Sequence, residues 1–418
     1  MRRLQATTIQ HFAERTTKTS PMRIFDIPLI AAAVPVLTWS GYLFTLTVLS
    51  ARRASPPYST ARLRFDILIP AHNEEGGIEA TIAGLRELDY PESLRRIVVV
   101  ADHCTDETAA RARAAGAHVL VHDDITKRGK GYALEFAFSQ LLQEGEADAI
   151  VVIEANSDVS ANFLRAFSAR FERGAPVVQA RCGMRNRDAS WRTRLMRIAF
   201  ATDHDVRSLG RERLGGSCGL RGSGMGFRSE ILRNIPHDAF SVFENVEVGI
   251  ALAKLGHRIW YAEEAHVAGD LGTAEASWAS RHQRWEDGRW NLVRRHGLDL
   301  IRQAIRKGDR VLVDVAFDMI VPPLSYVALA SLAGITSAGI AVMLGGASPY
   351  VLVPWTASAA MLAAYVARGV ALSGTGSKGF VDLKASPFFE ALNRALAVRG
   401  GVHSWQRVRS TCATEGCA

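Results

Sequence analysis

The residues best suited to chemistry come as an ordered series of short blocks. The first is I-P-A-H-N-E-E at 69–75, closing an apolar run and leading straight into a helical pattern. The second, V-A-D-H-C-T-D-E-T at 100–108, puts Asp102 and Asp106 at the carboxyl end of another apolar run. Two carboxylates there can accept hydrogen bonds from a nucleoside base or a ribose, and acidic residues at such a turn also cap helices. Next comes R-G-K-G-Y-A-L-E-F-A-F at 128–138, where glycines flank Lys130. That lysine suits a donor phosphate, or simply solvent. Transfer of a sugar from a nucleotide needs a nucleoside pocket, positive charge at the leaving group and a carboxylate for the acceptor hydroxyl. The sequence offers candidates for each, in a telling order.

These blocks sit at the ends of regular elements. Apolar runs at 66–70, 96–102, 117–122 and 149–155 alternate with helical patterns such as 78–88 and 107–116. Fully apolar strands separated by helices predict a mostly parallel sheet covered on both faces, the doubly wound α/β class. Ligands of such sheets bind beyond the carboxyl ends of the strands. Outside this region the apolar residues concentrate. The run 27–50 is free of charge, as is 319–367, which G-G-A-S-P-Y at 345–350 divides. Three membrane-spanning helices are expected, at 27–50, 320–344 and 350–368. Arg52, Arg53, Arg62 and Arg64 after the first span, and Arg302, Arg306, Lys307 and Arg310 before the second, predict a cytoplasmic α/β domain over 63–300. The residues 1–26 would be an outer tail and 369–418 a cytosolic one. The mixed stretch 301–318 reads as an interfacial helix or as one packed on the α/β domain.

Taken together, P-A-H-N-E-E, A-D-H-C-T-D-E-T-A, R-G-K-G-Y-A-L, G-S-G-M-G-F-R-S-E-I-L (222–232) and H-S-W-Q-R-V-R-S-T (403–411) resemble glycosyltransferase family 2. That family includes cellulose, chitin and hyaluronan synthases and bacterial membrane transferases. The resemblance implies a GT-A type α/β domain and a nucleotide-sugar donor, with a UDP-sugar as first expectation, bound by Pro70, Asn73, Glu74, Asp102, Asp106 and Lys130. It implies an acceptor side formed by Gly222, Gly224, Met225, Arg284 and Trp285. The metal motif D-x-D corresponds to Glu154-Ala155-Asn156, so Mg²⁺ or Mn²⁺ would be held by Glu154 and Asn156 with lowered affinity, Asp158 substituting in part only in a remodelled loop. The base of the T-E-D motif corresponds to Asn245, between Glu244 and Glu247. A carboxamide takes no proton at neutral pH, so Glu244 or Glu247 would act as base. In the family's Q-x-x-R-W, Arg281 replaces the glutamine.

The expected activity is inverting transfer of a sugar to a saccharide or lipid-linked acceptor at the inner membrane, in polysaccharide or cell-envelope synthesis. Few spans leave room for a partner membrane subunit. The competing expectation is a transferase frame without turnover, acting as a binding or scaffold partner. The net charge of +8 and pI near 9.4 raise nucleic acid as a ligand, but the basic residues form no single stripe with interleaved aromatics. A transporter would carry ionisable residues inside its spans, and these have none. No G-x-G-x-x-G follows the first strand, which argues against a dinucleotide-binding oxidoreductase. Cys104, Cys182, Cys218, Cys412 and Cys417 form no C-x-x-C pair, which fits a reducing compartment.

Overall fold

A computed structural model describes residues 23–52, 59–185, 190–234, 244–269 and 292–385. The chain divides into two compact units, residues 52–320 with 369–418 and residues 1–51 with 321–368.

The larger unit is built on an eight-stranded sheet of order β3-β2-β1-β4-β7-β6-β8-β5. The first four strands, β1 (Phe65–Ala71), β2 (Arg95–Asp102), β3 (His118–His122) and β4 (Ala149–Val152), pair in parallel. Beyond β4 the sheet turns mixed. β7 (Met225–Arg228) runs antiparallel to both β4 and β6 (Val177–Met184), and β6 runs parallel to β8 (Ile259–Gly269). The short β5 (Ser157–Val159) closes the edge antiparallel to β8.

Both faces of the sheet are buried, which is why its strands carry runs of Val and Ile rather than an alternation. One face packs Ile67, Ile69, Val99 and Val151 against α2 (Ile78–Arg86) and α5 (Phe163–Phe171). The other packs Leu68, Val98, Val100 and Val152 against α4 (Lys130–Glu144). Between β2 and β3 lies α3 (Thr108–Ala114).

After β6, α6 (Trp191–Phe200) passes through a π-turn at Ala201–Val206 into α7 (Arg207–Leu214). Then α8 (Ser229–Asn234) follows β7, and α9 (Glu244–Lys254) precedes β8. The chain is helical again over 292–307 (α10) and in α11 (Arg310–Ile320). These last helices use their mixed pattern inside the unit. Leu300, Ala304, Leu312 and Ala316 pack with Ile250 and Ala253 of α9. Asp314 and Asp318 take the buried arginines of α7, with Arg211 Nη2 2.6 Å from Asp314 Oδ2 and Arg211 Nη1 2.7 Å from Asp318 Oδ2.

The smaller unit holds three helices long and apolar enough to cross a membrane: α1 (Asp26–Ser50), α12 (Leu324–Met343) and a span over Pro349–Ser373 that contains α13 (Leu352–Ser373). With so little polar surface, small residues and hydroxyls define how they pack. Ser358 Oγ lies 2.6 Å from Ser40 Oγ and 2.9 Å from Ser331 Oγ, joining all three helices. Gly334 lets the Trp355 ring lie against its backbone, where an added Cβ would come within 2.0 Å of Cε3.

Candidate active site

The loops that leave β1 and β2 are clasped to each other. Asn73 adopts φ +55°, and its Oδ1 accepts from the Thr105 N–H at 2.8 Å. The Glu74 N–H donates to Thr108 Oγ1 at 2.8 Å, and the Glu75 N–H to Asp106 Oδ2 at 3.2 Å. Asp106 Oδ1 accepts from the Thr108 N–H at 3.0 Å. Burial would raise the Asp106 carboxyl, but the hydrogen bonds from Thr108 and Glu75 outweigh it and hold the group below its ordinary value. Asn73 and Asp106 therefore shape the loop.

Asp102 is buried at the end of β2 and works as a hub. Its Oδ1 accepts from His103 Nδ1 at 2.7 Å and His122 Nδ1 at 2.8 Å, and Oδ2 accepts from the Gly129 N–H at 3.3 Å. His72 Nδ1 donates to the Asp102 carbonyl at 2.6 Å. The ligand-type atoms of Asp102, His103 and His122 lie within 4.8 Å of one another, a grouping able to hold a metal ion. Both imidazoles turn Nδ1 to one carboxylate oxygen at hydrogen-bond distance, and His103 Nε2 meets the Asp124 carbonyl at 3.0 Å. The group is thus satisfied as a hydrogen-bonded hub that ties β2 to β3 and to the start of α4.

Four residues from four segments converge beside it. Lys130 opens α4, and its Nζ donates to Glu154 Oε1 at 2.6 Å and to the Gly222 carbonyl at 3.0 Å. Glu154 follows β4, with its N–H donating to Ser223 Oγ at 3.1 Å. Gly222 has φ +91°, and a Cβ there would stand 3.0 Å from Asn245 Nδ2, 3.5 Å from Lys130 Nζ and 3.7 Å from Glu154 Oε1. The glycine is what allows the amine, the carboxylate and the carboxamide to surround one backbone position. Gln179, fully buried on β6, fixes the loop from behind. Its Nε2 donates to the Ser223 carbonyl at 2.9 Å, and its Oε1 accepts from the Arg221 N–H at 2.9 Å.

Asn156 turns the other way. It adopts φ +62°, and its Nδ2 donates to Glu74 Oε2. Its Oδ1 lies over Gly77, where a Cβ would come within 1.4 Å. Burial raises the Glu74 carboxyl above its ordinary value, and the charges of Asp106 and Glu154 push the same way. Asp158 is held in a two-pronged pair with Arg185, at 2.7 Å from Nε and 2.9 Å from Nη2. The positions expected to share a divalent cation are thus held by different partners, Glu154 by Lys130, Asn156 by Glu74 and Asp158 by Arg185. The donor set does not fit a diphosphate-bridging Mg²⁺ or Mn²⁺, which needs hard oxygens that converge.

Of the remaining expected residues, Pro70 lies within β1 opposite Val100. Gly222 lies in the cluster, while Gly224 and Met225 take part in internal packing. A Cβ on Gly224 would meet Val267 at 2.9 Å and Ala180 at 3.0 Å, so that glycine serves internal packing. Met225 is 2% exposed and joins the apolar core under α4. Glu247 follows Asn245 by two residues on α9, and residues so spaced do not share a helix face. The Glu244 side chain, Arg281, Arg284 and Trp285 lie outside the described residues. Sequence reasoning missed Gln179, Gly77 and His122. Only His122 carried a signal, as a polar residue ending an apolar strand.

The sequence profile of the family described as "Glycosyltransferase like family 2" matches residues 62–288. The chain belongs to that family. This glycosyltransferase resembles a mannosyltransferase from Pyrobaculum calidifontis solved in complex with GDP-Man and Mn²⁺. The two share 18% identity over 84% of this chain and 99% of that one, with a TM-score of 0.53. Glucosyl-3-phosphoglycerate synthase from Mycobacterium tuberculosis, solved with Mn²⁺, UDP and phosphoglyceric acid, matches at 22% identity over 50% of this chain and 71% of its own, with a TM-score of 0.37. At these identities the first likeness shows a shared GT-A fold. No curated protein sequence matches the chain.

Proposed function

We propose that this glycosyltransferase is membrane-anchored and inverting, moving a sugar from a UDP-linked donor to a hydroxyl of a saccharide or lipid-linked acceptor at the cytoplasmic membrane face. Three apolar helices and the basic residues beside them support the anchoring and orientation. The reading rests on one observation, the convergence of Lys130, Glu154 and Asn245 around Gly222.

The chemistry follows from which group can do what. Lys130 stands at the N-terminus of a 15-residue helix, where free N–H groups and the helix dipole favour an anion. The donor's diphosphate binds there, with the nucleoside toward the clasped turns after β1 and β2. Asn245 cannot accept a proton, but its carboxamide can hold the acceptor hydroxyl in place. Glu154, whose Oε1 lies 3.7 Å from where a Gly222 Cβ would stand, borders the same point and takes the role of base. The acceptor O–H gives its proton to Glu154 as the oxygen bonds the anomeric carbon. The anomeric C–O bond breaks on the opposite side, and its electron pair leaves with the nucleoside diphosphate.

Nucleoside diphosphate release by the purified chain in lipid, across a panel of UDP- and GDP-sugars, tests this reading. Release with one donor is expected, and Glu154→Gln should cut turnover by ~10²–10⁴-fold, the usual contribution of a general base. A Glu154→Gln variant with undiminished turnover would exclude Glu154 as base. Silence from the wild type beside activity in an Asn156→Asp/Asn245→Asp variant would instead mark a frame without turnover.

A further inference from the structure

The residues that would hold a divalent cation are each engaged with a partner, and for Glu154 that partner is a cation of the protein's own. Asn156 is neutral and faces Glu74 and Gly77. Asp158 is held by Arg185. Glu154, half exposed, contacts the Lys130 ammonium at 2.6 Å. A metal ion bound at Glu154 would sit within a few ångströms of that ammonium, an unfavourable meeting of like charges.

Lys130, by contrast, is arranged to receive an anion. It is one quarter exposed, and it begins α4 directly after Gly129, whose φ is +122°. A Cβ on Gly129 would find no atom within 4 Å, so the approach to the helix N-terminus is open on that side. The ammonium and the helix end offer a phosphate positive charge and N–H donors together.

We propose that Lys130, with the N-terminus of α4, takes the place of the divalent cation. The diphosphate of the donor binds and departs without a metal ion. Before the donor arrives, Lys130 neutralises Glu154. The diphosphate draws Lys130 to itself and leaves Glu154 free to accept the acceptor's proton. Donor binding thereby precedes activation of the acceptor, which limits loss of the donor to water. The inference builds on the proposed donor site, and its test reads binding rather than turnover.

The experiment is calorimetric titration of UDP and GDP into the full chain in lipid nanodiscs, once with EDTA and once with Mn²⁺. One nucleotide should bind with a Kd that changes less than about threefold between the two conditions, since the site supplies its own cation. Lys130→Met should weaken binding in EDTA by ~10–100-fold, the worth of a charge-assisted contact. Lys130→Arg should restore most of it, which separates lost charge from lost folding. Asn156→Asp should make binding rise with Mn²⁺. Wild-type binding that appears only with Mn²⁺, or Lys130→Met binding like the wild type in EDTA, would overturn the inference and leave the donor site standing. Absence of binding in both conditions would overturn the donor site and this inference with it.

Discussion

Replacing Gly222 by alanine probes the site with a single methyl group, and a second glycine supplies the control. At φ +91° an L-residue is strained, by about 1–2 kcal/mol for the left-handed backbone. For a unit of this size that corresponds to a fall in Tm of about 2–8 °C. Gly219 has φ +77° and open space where a Cβ would go, so Gly219→Ala carries the same backbone strain and nothing more. At Gly222 the methyl also meets Asn245 Nδ2 at 3.0 Å, closer than ordinary contact. Asn245 must yield by a few tenths of an ångström, and Lys130 and Glu154 border the same point. Misplacement of about 1 Å costs ~10²-fold, so this smaller shift should lower kcat/KM by roughly 10-fold, or about 1.4 kcal/mol. The assay pairs thermal unfolding with nucleoside diphosphate release for both variants. Equal Tm losses with activity reduced only in Gly222→Ala are expected. If Gly222→Ala keeps activity within twofold of Gly219→Ala, the cluster around Gly222 is not the reacting centre.

Asp314→Ala should leave Arg211, which is only 7% exposed, with Asp318 but without its two-pronged partner, and lower stability by about 2 kcal/mol, read as a Tm loss of about 4–8 °C. An unchanged Tm would mean that the Arg211–Asp314 pair adds nothing to stability. Gly334→Ala should loosen the three-helix unit by about 1–3 kcal/mol, because the new Cβ lies 2.0 Å from the Trp355 ring. Trp355 fluorescence in lipid should report the displaced ring, and an unaltered spectrum would contradict the packing. His204 stacks on Phe200 at 4.0 Å with its Nδ1 buried and unpartnered among the described residues, and burial followed by the charge of Arg221 pushes its pKa down to about 3. The unfolded chain takes up this proton below about pH 6.5 and the folded chain does not, so stability falls as pH drops from 6.5 toward 3 and is level above. The Tm difference between pH 7.5 and pH 5 should therefore shrink in His204→Phe, and an equal difference would show that other groups set the acid sensitivity.

The parallel half of the sheet was legible because its strands are apolar on both faces and its turns are rich in Gly, Asn and Asp. The mixed half was not. β7 is a short strand, M-G-F-R, and it inserts between β4 and β6 through pairings distant in sequence, for which local pattern gives no cue. Gln179 was invisible for a similar reason. A glutamine within a strand reads as solvent-facing, and only the return of the 221–224 loop over it makes it a buried clamp.

The pair Glu154 and Asn156 shows where the local pattern misleads. Two residues apart on a strand share a face, so E-A-N reads as two ligands aimed at one ion. β4 ends at Val152, however, and the left-handed backbone at Asn156 swings its side chain onto the β1–α2 loop. Once there, the residue type is dictated by Glu74, whose Oε2 needs a donor and receives one from the carboxamide. An aspartate in that place would set two carboxylates against each other unless a cation came between them. The asparagine and the Lys130–Glu154 pair are therefore one arrangement. The first removes the need for a cation at Glu74, and the second supplies positive charge where the proposed mechanism places the leaving group.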